Sequence, residues 1–188
     1  MQKIKTRNEL PLLLNDLNLN GKGIEIGVER GEYSYIILKH SNLSILYSVD
    51  AWTEMSKEEY QDINNHSQEK HNQNKKETKQ RLSKYKNRSK ILHKTSKKAS
   101  KLFKDNELDF IYIDANHSYH GCKEDIELWY PKVKVNGILA GHDYILDGHY
   151  SEGIFGVKSA VDEFVKKYNL KLFTTKEIWT SWYIKKLN

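Results

Sequence analysis

The stretch GIEIGVERGEYS, residues 23–34, decides the architecture. Ile24 to Val28 is a short apolar run of the kind that forms a buried parallel strand, and Gly31 opens a helix that runs on through Leu38. Between them Gly27 and Gly31 stand four residues apart at the strand-to-helix turn. Glycine there permits close backbone approach to a ligand, and the free N–H groups of a helix start favour a carboxylate or a phosphate. The spacing is Glu-x-Gly-x-x-x-Gly, not the Gly-x-Gly-x-x-Gly of dinucleotide binding, which disfavours an NAD oxidoreductase.

Outward from this unit, hydrophobic period separates the remaining elements. Arg7 to Leu17 reads as a short amphipathic helix with Pro11 near its start, where a missing N–H costs least. Ser44 to Val49 is a second strand ending at Asp50. Residues 56–86 are polar and rich in helix formers, which predicts one long or broken surface helix with a mobile stretch over 66–74. Lys90 to His93 and Phe110 to Ile113 are the third and fourth strands, with a short helix from Ala99 to Phe103 between them. A helix from Lys123 to Tyr130 stops at Pro131, and Ile138 to Gly141 is the fifth strand. Gly156 to Tyr168 is amphipathic, with Val157, Ala160, Val161, Phe164 and Val165 on one face. Leu170 to Thr174 and Ser181 to Lys186 close the chain as two strands. The alternation predicts a three-layer, Rossmann-like α/β fold: a mostly parallel seven-stranded sheet with an antiparallel C-terminal hairpin. At 188 residues the chain is read as a single domain, 1–188.

Thirty-one Lys and Arg against 25 Asp and Glu give a formal net charge of +6, most of the excess lying between Lys70 and Lys104. That segment has little aromatic interleaving, so it reads as a solvated helix face and not as an RNA platform. A basic RNA-binding or RNA-methylating module is therefore the competing class, and nucleic acid is not an expected partner. The one cysteine, Cys122, excludes an intramolecular disulfide and has no zinc-motif partners. With strand-sized apolar runs and no signal-like start, the expectation is a soluble, cytoplasmic protein away from the membrane.

Two further segments carry chemistry. DFIYIDANHSY (residues 109–119) and GILAGHDY (residues 137–144) are apolar runs that end abruptly in acids and imidazoles, as happens where buried parallel strands meet a ligand crevice. They bring Asp114, His117, His142 and Asp143 to one expected place. Asp50, at the end of the second strand, is suited to accept hydrogen bonds from ribose hydroxyls, and Trp52 could pack beside an adenine.

The segments GIEIGVERGEYS, LYSVDAW, DFIYIDANHSYHGCKEDIELWYPKVKVNGILAGHDY and FGVKSAVDEF, in this order, resemble a class I S-adenosylmethionine-dependent methyltransferase. Within that superfamily they are similar to the group of macrocin-type sugar O-methyltransferases and cephalosporin hydroxylase-like proteins. The resemblance implies S-adenosyl-L-methionine as cofactor, with Glu25, Gly27, Gly31 and Ser34 around its methionine part. It places Asp50, with Ala51 and Trp52, at the nucleoside, Thr95 and Ser96 near the adenine, and Asp114 facing the cofactor as well as a metal. His117 takes the role of general base by the same resemblance.

Methyl transfer to an alcohol needs the acceptor oxygen aligned with the sulfonium and stripped of its proton. A divalent cation can lower the hydroxyl's pKa, and Asp114 and Asp143 supply the oxygen ligands that Mg2+ prefers. Several metal-dependent relatives carry a carboxylate where this chain has His142, which makes that residue a second base, a substrate hydrogen-bonder, or a ligand for a softer ion such as Mn2+. The expected acceptor is a hydroxyl of a sugar or a glycan-linked small molecule; a catechol-like small phenol is the alternative. A homo-oligomer is left open, since related sugar enzymes are often oligomeric. The loop from Tyr144 to Phe155 is expected to shape substrate access.

Overall fold

The computed structural model describes residues 3–58 and 60–187; the two ends of the expected 1–188 domain, and one residue of the expected 56–86 helix, lie outside these. Along the chain run α1 (Leu10–Asp16), β1 (Lys22–Ile26), α2 (Glu32–His40), β2 (Ile45–Asp50), α3 (Gln68–Leu82), β3 (Ser89–His93), α4 (Ser96–Ser100), β4 (Leu108–Ile113), α5 (Tyr119–Trp129) and β5 (Val133–Gly141). A small pair follows, β6 (Gly148–Tyr150) and β7 (Gly153–Phe155), then α6 (Val157–Lys167), β8 (Leu172–Thr174) and β9 (Trp182–Lys185). Seven strands form one sheet in the order β3-β2-β1-β4-β5-β9-β8. The first five pair in parallel, and β9 and β8 return antiparallel as the C-terminal hairpin.

All six residues of β4 are buried, and their alternation makes two cores. Ile111 and Ile113 face α4, α5 and α6 with Ile24, Ile26, Trp129 and Phe164. Phe110 and Tyr112 face α1, α2 and α3 with Leu14, Ile37, Leu46 and Leu82. The layers are thus helix, sheet, helix. Chain direction reverses its lateral order around β1, between β2 and β4, so a crevice opens beyond the carboxyl ends of these strands.

Several boundaries differ from the expected ones. β1 ends at Ile26, two residues early, because Gly27 turns the chain with φ +85°. A Cβ on Gly27 would lie 1.9 Å from the Asp114 carbonyl oxygen, so this glycine lets the turn approach the end of β4. The described residues of 56–66 are not helical, and the stretch expected to be mobile over 66–74 is largely the first half of α3, capped by the Ser67 side chain accepting from Lys70 N. The face that α3 buries is His71, Asn74, Thr78 and Leu82, spaced as a helix requires but mostly polar, which hides it from a hydrophobic-period reading. α5 begins four residues before Lys123, capped by Ser118, and Pro131 sits in a 3-10 turn after the helix end. Among the described residues no helix is long and apolar enough to cross a membrane.

Candidate active site

A cavity of about 410 Å³ lies across the carboxyl ends of β1, β2 and β4, a size typical of small-molecule sites. Glu25 and Gly27 from β1 and its turn, Asp50, Ala51 and Trp52 from the end of β2, and Asp114 from the end of β4 line it. Thr95 and Ser96 line it from the start of α4. Thr95 also caps that helix, accepting from Lys98 N. Gly31 and Ser34 are not among the lining residues. A Cβ on Gly31 would meet Thr78 of α3, and Ser34, fully buried, donates to the Glu25 carboxylate from behind. These two stand behind the cavity wall, against α3 and Glu25.

Asp50 is held by backbone. Its Oδ2 accepts from Val28 N (2.9 Å) and Glu29 N (2.8 Å), and its Oδ1 from Trp52 N (2.7 Å). A carboxylate has about four acceptor positions, so one direction stays open for a ligand hydroxyl. Trp52 is buried; its Nε1 donates to Glu29 O (2.8 Å), and its ring tilts against His93. Burial pushes the Glu25 carboxyl up to about 8, opposed by the Ser34 hydrogen bond. At the opposite end of the cavity, burial likewise raises Asp125 to about 7 against the hydrogen bond from Ser96, whose Oγ also accepts from Trp129 Nε1.

The acid and imidazole cluster adjoins this cavity through Asp114. His117 Nδ1 lies 2.6 Å from Asp62 Oδ2, a carboxylate brought in by the loop between β2 and α3. His117 Nε2 lies 3.0 Å from Asp143 Oδ2 and 3.6 Å from Asp114 Oδ1, close enough for attraction yet without an aligned hydrogen bond, and it is buried. Phe155 of β7 lies flat on the imidazole, the ring centroids 4.9 Å apart and the planes 7° apart. Burial works against a charged His117, but the carboxylates of Asp114, Asp143 and Asp62 outweigh it and raise its pKa well above the ordinary histidine value. Burial also opposes ionisation of Asp143, and the nearby rings of His117 and His142 overcome it, holding the carboxyl well below the usual range.

Asp114, His117 and Asp143 each offer a ligand atom within 4.8 Å of the others, an arrangement able to hold a metal ion. This set differs from the expected one, because His117 enters it and His142 does not. The His142 ring turns its Nδ1 to Asp143 Oδ1 at 3.1 Å and stays 3.9 Å from Asp114 Oδ1. Asp114 and Asp143 set two hard oxygen donors side by side, which fits a divalent cation there, and the buried Nε2 of His117 faces the same space.

Several residues here escaped the sequence reading. Asp62 and Tyr60 sit in a polar loop with no periodicity to flag them; Tyr60 OH donates to Ala115 O (3.0 Å). The Tyr144–Phe155 segment, expected as an access loop, folds in part into the β6–β7 pair; its Tyr150 and Phe155 form an aromatic rim with Trp179, which the sequence reading did not include, their centroids 5.4 to 6.3 Å apart. Gly153 of this pair bridges to Asp62, fastening the rim to the loop that supports His117.

Comparison with known proteins gives a consistent picture. The family described as methyltransferase domain matches residues 24–144. A 55-residue stretch is 34% identical to the uncharacterised protein y4gI of Sinorhizobium fredii, covering 29% of this chain and only 6% of that protein. Among solved structures, an rRNA methylase from Streptococcus thermophilus superposes with a TM-score of 0.61 at 15% identity, covering 95% of this chain and 97% of that one. The O-methyltransferase NovP gives 0.67 at 18% identity over 96% and 78% of the two chains. An O-methyltransferase from Bacillus cereus in complex with SAH gives 0.64 at 11% identity over 95% and 80%. At these identities the likeness is one of fold.

Proposed function

Because the chain belongs to the methyltransferase-domain family, as a class I S-adenosylmethionine-dependent methyltransferase, we propose that it methylates a hydroxyl of a sugar or glycan-linked small molecule with the help of a divalent cation. The observation that carries this reading is His117: oriented at Nδ1 by Asp62, unsatisfied at Nε2, and set beside the wall that the cofactor cavity and the acid cluster share.

Bound in the cavity, the cofactor supplies an electrophilic methyl group. Asp50 and Ala51 hold the ribose side, Thr95, Ser96 and Trp52 the adenine side, and Glu25 and Gly27 the methionyl side of the cavity wall. Asp114 and Asp143 are the residues that would hold Mg2+ or Mn2+, which there would acidify the acceptor hydroxyl and offset two of the three carboxylates that keep His117 charged. His117 then accepts the hydroxyl proton at Nε2, while Asp62 keeps its ring in one orientation and stabilises the imidazolium. Phe155 keeps water off one face of that ring. His142, held to Asp143, hydrogen-bonds the acceptor. The aromatic rim of Tyr150, Phe155 and Trp179 supports the carbohydrate acceptor, since such faces suit the C–H side of a sugar ring.

Methylation of nucleotide sugars, glycan extracts and catechols, each with and without chelator, tests this. Turnover of carbohydrate acceptors that chelator abolishes is the expected result. Turnover of catechols alone removes the carbohydrate acceptor, and chelator-insensitive turnover removes the metal. His117→Ala should lower kcat by roughly 100-fold or more with S-adenosylhomocysteine affinity nearly unchanged.

A further inference from the structure

One cationic group in the cavity comes from outside the matched stretch 24–144. Arg7 lies in the segment before α1, and its backbone is pinned at both ends of the residue. Arg7 N donates to Glu177 Oε1 (2.8 Å), and Tyr33 OH donates to Arg7 O (2.8 Å). Two residues earlier, Lys5 O accepts from Lys176 N (2.8 Å), so the segment is laced to the turn between β8 and β9. The guanidinium lies over the Tyr33 ring, 4.8 Å from its centroid, with Nη1 3.1 Å from Asp114 Oδ2. Its side chain lines the cavity beside Glu25, Gly27 and Asp114.

The other cations on this wall stand elsewhere or are otherwise engaged. Arg30 is paired with Glu32 (3.2 Å) and Lys97 with Glu124 (2.8 Å), while Lys94 follows β3, beside Thr95. Arg7 is therefore the cation at the end where Glu25 and Asp114 close the cavity. A guanidinium carries five donors in a planar fork that matches a carboxylate; here one is directed at Asp114 and another at the Tyr112 hydroxyl, which leaves donors for a ligand. A zwitterionic amino acid presents one charge of each sign, and this end of the cavity presents one guanidinium and one carboxylate, paired with each other.

We propose that Arg7 is the carboxylate anchor of the cofactor's methionyl group, with Asp114 beside it taking the ammonium side. This rests on the cofactor reading above and adds to it a residue that the strand-end motifs do not contain. The main-chain pinning explains how a residue so far upstream in sequence holds its guanidinium in place: Tyr33 and Glu177 fix its backbone, and the Tyr33 ring supports its face.

Isothermal titration of the full chain with S-adenosylhomocysteine and with 5′-methylthioadenosine tests the assignment. The second ligand keeps the nucleoside and the thioether and lacks the amino-acid group. Arg7→Ala should weaken the first ligand by roughly 10- to 100-fold and leave the second within about twofold. Arg7→Lys, which keeps the charge and loses the fork, should fall between wild type and Arg7→Ala. Equal weakening of both ligands, or no weakening of either, would overturn the anchor while leaving the cofactor reading intact. A wild-type chain that binds neither ligand would sink both. Because the contacts that pin Arg7 are main-chain, a melting curve close to wild type is expected for both variants.

Discussion

Asp62 lies outside both the cavity lining and the set of Asp114, His117 and Asp143, yet it positions the imidazole of that set. Its Oδ2 lies 2.6 Å from His117 Nδ1, so Asp62→Asn should lower kcat by roughly 10- to 100-fold with little change in acceptor KM or in cofactor affinity. Steady-state kinetics beside a cofactor titration separate this from a general loss of fold. A second residue-scale consequence concerns Glu25. Its folded pKa, about 8, is raised above the ordinary 4.5, so the folded state holds the proton more tightly. The corresponding stability is fully present below about pH 4.5 and is lost as pH rises through about 8. Melting curves of the cofactor-free protein should show wild type losing ground to Glu25→Gln by a few kcal/mol between pH 5 and pH 8.5. A difference independent of pH would mean that the carboxyl is ionised throughout.

Elements built on apolar period were legible, and those built on polar burial were not. β4, the β1–turn–α2 unit, α6 and the C-terminal hairpin all follow from runs in which burial and hydrophobicity coincide. α3 does not, because it buries His71, Asn74 and Thr78 against the turn after β1 and the loop after β2; its Thr78 Oγ1 donates to Glu29 O. For the same reason the loop that supplies Asp62 reads as featureless: its contacts are long-range hydrogen bonds, which leave no local pattern. The strand-end acids and His117 were legible because an ionisable group ending a buried strand is costly without a use. Gly27 belongs to this scale, since it joins two strands' ends. Gly27→Ala combines positive φ with a Cβ 1.9 Å from a backbone oxygen, and should cost several kcal/mol. Chemical denaturation is the check, and a loss below about 1 kcal/mol would show that the β4 end can retreat.

The whole molecule divides its labour between the two sides of one wall, with Asp114 common to the cavity and the acid cluster. Ligand binding should accordingly register globally. S-adenosylhomocysteine at a hundred times its Kd should stabilise the fold by about 2.7 kcal/mol, which for a chain of this size raises Tm by roughly 5 to 10 °C. An unmoved melting curve would count against the cavity as its site. At this scale the motif residues around the cavity were readable, whereas Arg7 and Asp62 reach the site through tertiary contacts that no spacing announces. The bridge between Asp62 and Gly153 has one more consequence. Ile63 N donates to Glu152 O and Ile154 N to Gln61 O, so the loop under the imidazole and the aromatic pair beside it share their main-chain bonds. Neither can open without the other, and their amides should exchange with deuterium at a common rate, slowed together when an acceptor fills the rim.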